Sequence, residues 1–391
     1  MKSLRNSLIF AFLLSFSPNC PAYELVRVKL LSGQQSVNIL CAETTSLYDP
    51  STAQDIAVTP SFAEYSITPS DQGLRLMQKN TDGGGFSFNL PYEVVIEPWS
   101  EGTVSVNGRE YRGSIYVKLR NGMLASNAQL EVINIISIDD YVRGTVKAEI
   151  SPEWPEEMIK AHVVAARTYV FYQMQNRAEL DFDVESGIMS QVYWGVNGED
   201  SASNRLVSET AGEYLVYRDA VAQVFYHSCC GGYTEDSLDV WGISIPYITN
   251  VRCPFCKDSP RYSWEKKISA AQVQEALKKN GIDIGSILGI YPRKKSRTER
   301  VQELSIKGSN GEKRMSGDNF RKIMGYSVIP STMFTVEQKI RDELIFRGRG
   351  YGHGVGLCQW GAREMAVNGY GYREILKFYF PGTKVKKLTN N

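Results

Sequence analysis

The chain carries no excess of charge in either direction: 44 Lys and Arg stand against 43 Asp and Glu, a formal net charge of +1. Net charge therefore selects neither nucleic acid nor an anionic membrane surface as partner. Long apolar runs are missing too. The best candidate, Leu8 to Phe16, is too short to cross a bilayer as a stable helix. With Lys2 and Arg5 before it and Ser17-Pro18-Asn19-Cys20-Pro21-Ala22 after it, the run predicts an export signal over residues 1–22, cut after Ala22. Pro18 and Asn19 speak against a lipoprotein signal at Cys20. The mature chain is expected to have no transmembrane span and to reside in the periplasm or cell envelope. Internal repeats and low-complexity tracts are absent, which removes repeat architectures. The glycine-rich stretch Arg347 to Gly361 lacks the G-x-G-x-x-G spacing and is not followed by G-K-[ST], so it is neither a dinucleotide fingerprint nor a phosphate loop.

What is present is a chain of 391 residues, 42% of them hydrophobic, long enough for two or three domains. An aromatic content of 11%, with 22 Tyr, argues against long disorder and suits a protein that grips a large ligand. Period-two alternation marks strands at Tyr23 to Leu30, Thr103 to Val106 and Ser114 to Leu119, with hairpin turns at Asn107-Gly108 and Asn121-Gly122. Thr81 to Gly85 reads as a loop. A strand-like run from Leu130 to Ile138 ends at Asp139-Asp140-Tyr141. Trp154-Pro155-Glu156-Glu157 then opens a helix reaching about Gln175, with proline and acids where a helix start favours them. Ala220 to Tyr226 reads as strand. Ser269 caps a helix to Asn280, Arg293 to Arg300 reads as a solvated loop, and Cys358 to Phe380 as two short helices broken at Asn368-Gly369. The expected fold class is α+β: a mixed, largely antiparallel β core with a long helix after the turn that follows Glu149, plus a β-rich N-terminal region. The domains are expected at 23–109 and 110–386.

Three constellations carry candidate chemistry. Glu149 sits at a strand-turn-helix junction among Ile150, Pro152 and Trp154. Apolar neighbours desolvate a carboxylate and favour its protonated form, which a general acid near neutrality needs. On the helix that follows, Lys160 and Arg167 are seven residues apart and share a stripe with Val163, Val164 and Phe171. Cations on such a stripe need partners, either a ligand oxygen or a buried carboxylate. The second constellation is Gly352-His353-Gly354-Val355-Gly356 with Gln359, where alternate glycines let a backbone approach a ligand or another strand. His353 reads as a binding-cleft residue or as a hydrogen-bonded scaffold residue. Pairing Cys358 with His353 or His227 would give a cysteine protease, but nothing marks Cys358 as an activated thiolate.

The third constellation is His227-Ser228-Cys229-Cys230-Gly231-Gly232 followed by Cys253-Pro254-Phe255-Cys256. In an exported chain Cys229, Cys230, Cys253 and Cys256 read first as disulfides; the second reading is a structural zinc at His227, Cys230, Cys253 and Cys256. Neither implies a catalytic metal or a cofactor.

Together these segments resemble the SpoIID family of peptidoglycan-cleaving proteins. The resemblance is carried by Tyr111-Arg112-Gly113, Asp140-Tyr141-Val142-Arg143-Gly144-Thr145-Val146, Glu149, Trp154-Pro155, Lys160-Ala161 and Ala165-Ala166-Arg167-Thr168-Tyr169. It continues through Ser190-Gln191-Val192-Tyr193, His227-Ser228, Cys230-Gly231-Gly232, Gly352 to Gly356 and Gln359-Trp360-Gly361-Ala362. It implies a lytic transglycosylase that cleaves MurNAc-GlcNAc bonds, preferring strands stripped of stem peptides. Glu149 is the implied acid/base, and Lys160 and Arg167 the cationic cleft residues. His353, Gln359, Gly352 and Gly354 would line the sugar cleft, and Tyr193 and Trp194 are candidate stacking platforms. Peptidoglycan glycan strands are the expected partner, with an amidase or septal envelope proteins as further candidates. Ile150, His162 and Cys358 depart from the family pattern, where methionine, glutamine and serine are usual. The rival readings are a hydrolytic muramidase using Asp139 or Asp140 as second carboxylate, a non-catalytic glycan binder or amidase activator, and a structural envelope protein. Sporulation, division and growth are all compatible settings.

Overall fold

The computed structural model describes residues 25–79, 87–120, 128–338 and 343–388. The export signal, the 81–85 loop and the Asn121-Gly122 turn lie outside the described residues. Eight helices among the described residues accompany a larger set of mostly antiparallel strands, so the fold class is α+β as expected. The chain divides into two compact units. One holds residues 1–153, 166–213 and 387–391; the other holds 154–165 and 214–386. The 109/110 limit drawn from the sequence falls inside a hairpin of the first unit, in which Thr103–Val106 pairs with Arg109–Arg112. Asn107 and Gly108 turn that hairpin with φ of 50° and 82°, the left-handed pair a type I′ turn requires.

The first unit is built on two sheets. A seven-stranded sheet runs in the order Val184–Glu185, Leu25–Gln34, Leu130–Ser137, Ser114–Leu119, Glu93–Pro98, Thr45–Asp49, Gln54–Thr59. A six-stranded sheet runs Arg109–Arg112, Thr103–Val106, Val37–Cys41, Ala63–Ser70, Gly73–Gln78, Ser87–Leu90. Alternation does the sorting: Val37, Ile39 and Cys41 are buried while Asn38 and Leu40 face out, and Ile115, Val117 and Leu119 repeat the pattern. Leu130–Ser137 is central and buries Val132, Ile133, Asn134, Ile135 and Ile136 in succession, as a strand covered on both faces does.

Helix α1, Ile138–Glu149, begins where that strand ends. Ser137 caps it, its hydroxyl accepting the Asp140 N–H at 3.1 Å, and Asp139 and Asp140 occupy the first turn. The sequence reading missed this helix. Gly144 and the β-branched Val142, Thr145 and Val146 lower its intrinsic propensity. Burial of Ile138, Tyr141, Val142, Thr145 and Val146 along one stripe overrides that. The helix stops at Ile150, extended, just ahead of Ser151-Pro152. Helix α2, Glu156–Asn176, matches its expected span; it gives its first part to the second unit and the rest to the first. Helix α3, Ser201–Glu209, is capped by Asp200, which accepts the Ala202 and Ser203 N–H groups.

The second unit holds α4 (Ser237–Trp241), α5 (Ala270–Lys279), α6 (Gly317–Met324), α7 (Gln359–Val367) and α8 (Tyr372–Tyr379). Ser269 caps α5 in a complete capping box with Gln272, as its position predicts. Two three-stranded sheets, Ser263–Ser269/Glu343–Arg349/Phe334–Gln338 and Ile287–Lys295/Val301–Gly308/Gly311–Ser316, share a core with α5 and α6. Phe320, Phe334 and Phe346 lie at its centre, with ring centroids 5.6 to 6.3 Å apart. The stretch Arg293 to Arg300, expected as a solvated loop, begins as strand and ends inside the protein: Arg300 is 2% exposed. Its charge pattern hid a buried arginine that donates to the Cys230 carbonyl at 2.7 Å.

Truncating Phe320 to Ala removes the ring on which this core closes. The expected cost is about 3–5 kcal/mol of stability, read as a lowered urea midpoint. An unchanged midpoint would show that the cluster does not hold the unit together.

Candidate active site

Glu149 is the last residue of α1 and is half-buried. Its Oε1 accepts the Val192 N–H at 2.9 Å. Val192 belongs to the Ser190-Gln191-Val192-Tyr193 segment, whose backbone is fixed by three anchors. Trp194 N–H donates to the Gly144 carbonyl at 3.0 Å, the Tyr193 hydroxyl donates to Asn134 Oδ1 at 2.8 Å, and Ser190 Oγ accepts the Glu185 N–H at 3.1 Å. Gly144 makes the first of these feasible, since a Cβ there would lie 2.5 Å from the Tyr193 ring. Around the carboxylate stand buried Ile150 and the phenols Tyr141 and Tyr169. Burial pushes both phenols above their ordinary range, and the Glu149 charge adds to the effect. The Tyr141 hydroxyl finds no hydrogen-bond partner among the described residues.

Arg167 is committed to the protein. Its side chain is 1% exposed; Nε donates to Asp139 Oδ1 at 2.8 Å, Nη1 to the Thr210 carbonyl at 2.9 Å, and Nη2 to the Val207 carbonyl at 3.0 Å. These contacts tie the first turn of α1 to the end of α3. The guanidinium thus acts on the site's architecture, with its donors already used, which corrects the reading of Arg167 as a substrate contact. Lys160, in the second unit, pairs with Glu157 at 3.4 Å and is largely covered. Tyr193 is 1% exposed and packs on Tyr111 and Tyr141, so it is core and not a stacking platform; Trp194 beside it is 38% exposed.

In the second unit His353 is likewise fixed by backbone. Nε2–H donates to the Tyr226 carbonyl at 3.0 Å and Nδ1 accepts the Val355 N–H at 3.0 Å, which sets the neutral tautomer and leaves neither nitrogen for a ligand. Burial, with Arg321 and Arg300 nearby, pushes its pKa down to about 3. The glycines around it serve internal packing. A Cβ at Gly352 would meet His227 at 2.7 Å, and one at Gly354 would meet the Arg300 guanidinium at 2.4 Å. Of the two approaches the alternate glycines allow, to a ligand or to another strand, the contacts seen are with other parts of the same unit. Gln359 opens α7 nearly buried, and its Nε2 has no partner among the described residues. Trp360 meets Trp154 edge-on at 5.2 Å, so two of the motifs meet in this unit. His162, on α2, is fully buried against Tyr226, and desolvation alone lowers its pKa to about 3.

The disulfides expected among Cys229, Cys230, Cys253 and Cys256 are not formed; all are free and buried. Four sulfurs converge instead, those of Cys230, Cys253, Cys256 and Cys358, within 4.8 Å of one another, and neither Cys229 nor His227 joins them. The Val192 amide, the pairing of Asp139 with Arg167 and the inclusion of Cys358 escaped the sequence reading. The first two are contacts between segments far apart in the chain, which spacing does not encode.

The fold is α+β, and in its first unit Glu149 stands at the end of a helix. Residues 126–217 match the family described as Stage II sporulation protein, and residues 255–356 match a domain of unknown function (DUF8618). The chain is 34% identical over 284 residues to an uncharacterized protein of Brachyspira hyodysenteriae, covering 72% of this chain and 73% of that one. It is 30% identical over 328 residues to stage II sporulation protein D of Bacillus subtilis, covering 79% and 89%. An amidase enhancer of Bacillus subtilis is 28% identical over 290 residues, 62% of this chain and 40% of that protein. The chain belongs to the SpoIID family. No described helix is long and apolar enough to cross a membrane.

Two outcomes follow. Arg167→Met would orphan the Val207 and Thr210 carbonyls and cost roughly 2–5 kcal/mol; a urea midpoint within error of wild type would refute the clamp. His162 and His353 stay neutral in the folded chain down to about pH 3, while unfolded histidine takes its proton near pH 6.5. Their contribution is therefore complete above about pH 6.5 and is lost as pH falls toward about 3. His162→Gln removes one such proton, so urea midpoints should fall less steeply across that window. A slope equal to wild type would mean that His162 titrates normally when folded.

Proposed function

We propose that this protein is a lytic transglycosylase of the bacterial envelope, cleaving MurNAc-GlcNAc bonds of peptide-stripped glycan strands with Glu149 as its acid/base. Membership of the SpoIID family and likeness to an amidase enhancer support a cell-wall-related role. The observation that carries the finer reading is the carboxylate itself. It is half-buried at a helix end, and one oxygen is held by the Val192 amide. That hydrogen bond fixes the carboxyl's orientation, and the second oxygen would move the proton.

In this scheme the protonated carboxyl donates to the bridging oxygen as the C1–O bond breaks. The sugar's own 6-hydroxyl attacks the developing oxocarbenium, and its proton returns to Glu149, leaving a 1,6-anhydro end and consuming no water. Intramolecular attack supplies the proximity that a separate nucleophile would need. The muramidase alternative needs a second carboxylate within roughly 5 to 9.5 Å. Asp139 and Asp140 lie ten and nine residues before Glu149 on the same helix, about 14 to 15 Å along its axis. Asp139 is bound to Arg167 and Asp140 to Arg143 and Ser137. Neither fits the role. Lys160 keeps its proposed part in substrate binding, and export keeps its place in the reading.

A second reading, activation of an amidase without cleavage, is favoured by the amidase-enhancer relative. Purified stripped glycan strands separate the two. Wild type should release fragments one water lighter than hydrolytic products, and Glu149→Gln should lose at least about 10²–10⁴-fold in rate while still sedimenting with the strands. Reducing ends in the product would sink the transglycosylase; equal fragment release by Glu149→Gln would sink the assignment of the acid.

A further inference from the structure

We propose that Cys230, Cys253, Cys256 and Cys358 together bind one structural Zn²⁺ as an all-thiolate tetrahedral site in the second unit. A tetrahedron with Zn–S bonds of about 2.3 Å has sulfurs about 3.8 Å apart. The four sulfurs fit inside a 4.8 Å span, with Cys230 and Cys256 at 3.4 Å, and every one of these residues is at most 1% exposed. Binding replaces four S–H protons with four Zn–S bonds and releases the protons to solvent, with no change of oxidation state.

Four further features point to a thiolate-metal centre over paired disulfides. Sequence-distant segments each deliver their sulfur to one point: Cys253 precedes and Cys256 ends the short 3₁₀ turn Pro254–Cys256, Cys230 follows Tyr226–His227, and Cys358 caps α7. The sulfurs accept hydrogen bonds, as metal-bound thiolates do. Cys358 Sγ receives the Cys230 N–H at 3.2 Å and the Gly361 N–H at 3.4 Å, and Cys253 Sγ lies 3.2 Å from the Tyr379 hydroxyl. Space is reserved for the cluster: a Cβ on Gly361 would stand 2.1 Å from the Tyr379 oxygen and 2.7 Å from Cys253 Sγ.

The fourth feature is charge. Arg300 is buried beside Cys230, Cys229 and Cys358, and its Nε and Nη1 have no hydrogen-bond acceptor among the described residues. Its closest carboxylate, Glu235, is 4.0 Å away and also receives the Ser296 hydroxyl. A buried cation so placed is balanced by the net double negative charge of Zn(S)₄. His227 is no substitute ligand. Its Nδ1–H donates to the Val355 carbonyl at 3.1 Å, and the ring stands outside the sulfur cluster. Cys229, the fifth buried thiol here, turns its sulfur toward the Cys256 carbonyl at 3.9 Å.

The test is metal content of the chain purified from zinc-supplemented medium without chelator. About one zinc per chain is expected, with X-ray absorption showing four sulfurs at about 2.3 Å. Cys229→Ser should keep its zinc and Cys358→Ser should lose it. A zinc-free protein whose mass is short by two or four hydrogens would overturn the proposal in favour of disulfides. A shell of three sulfurs and one nitrogen, or loss of zinc from Cys229→Ser with retention in Cys358→Ser, would overturn the ligand set. Should Cys358→Ser fail to fold, the wild-type absorption spectrum decides alone.

Discussion

The position of Glu149 in the first unit rests on one buried guanidinium. Arg167 emerges from α2 into the interior and spends its donors on Asp139, in the first turn of α1, and on the carbonyls that end α3. Helix ends leave carbonyls without partners, and a planar fork of N–H groups is well suited to collecting them. The result is that α1 enters at a defined angle, so the position of Glu149, eleven residues from its start, follows from a contact at the opposite end of the helix. A lysine would supply the charge but not the fork. Substitution here would therefore act on the glutamate through the backbone.

The fold was legible where local chemistry is strong. Alternation gave the strands, Asn107-Gly108 the hairpin, Pro155 with Glu156 and Glu157 the long helix, and Ser269 the capping box. Helix α1 was not legible, because its glycine and β-branched residues read as strand until tertiary burial is known. Arg300 was hidden for the opposite reason. A run of charges reads as solvated surface, yet Arg300 faces the cysteine cluster. Glu149 was visible as a candidate through its motif and its apolar neighbours. Its amide partner was not, since Val192 lies 43 residues further along the chain.

The glycine-rich loop shows how one sequence signal supports two physical explanations. Alternate glycines mean close approach, either to a ligand or to another strand. In the structure the neighbours are His227, Arg300 and the Phe225 carbonyl, all of the same unit. His353 follows suit, with each ring nitrogen bound to backbone. Such a loop is a rigid frame. It holds Leu357–Cys358 parallel to Tyr226–His227, and by that pairing it brings Cys358 beside Cys230. The loop's rigidity and the sulfur cluster are thus one construction, in which the glycines give the backbone its path and the cysteines close it.

Placement at a helix end matters to the carboxylate's chemistry in a way that composition cannot convey. Glu149 closes α1, where the helix presents its negative pole and unpartnered carbonyls, an environment that disfavours a second negative charge. The Val192 amide works in the other direction by donating to the ionised form. In the proposed reaction Glu149 gives a proton away and takes another back in a single turnover, and both influences bear on it throughout. Both dipoles come from main-chain atoms and so persist through side-chain substitution. On this argument the changes from the family pattern at Ile150 and His162 are tolerable, because neither alters the two dipoles that the glutamate meets.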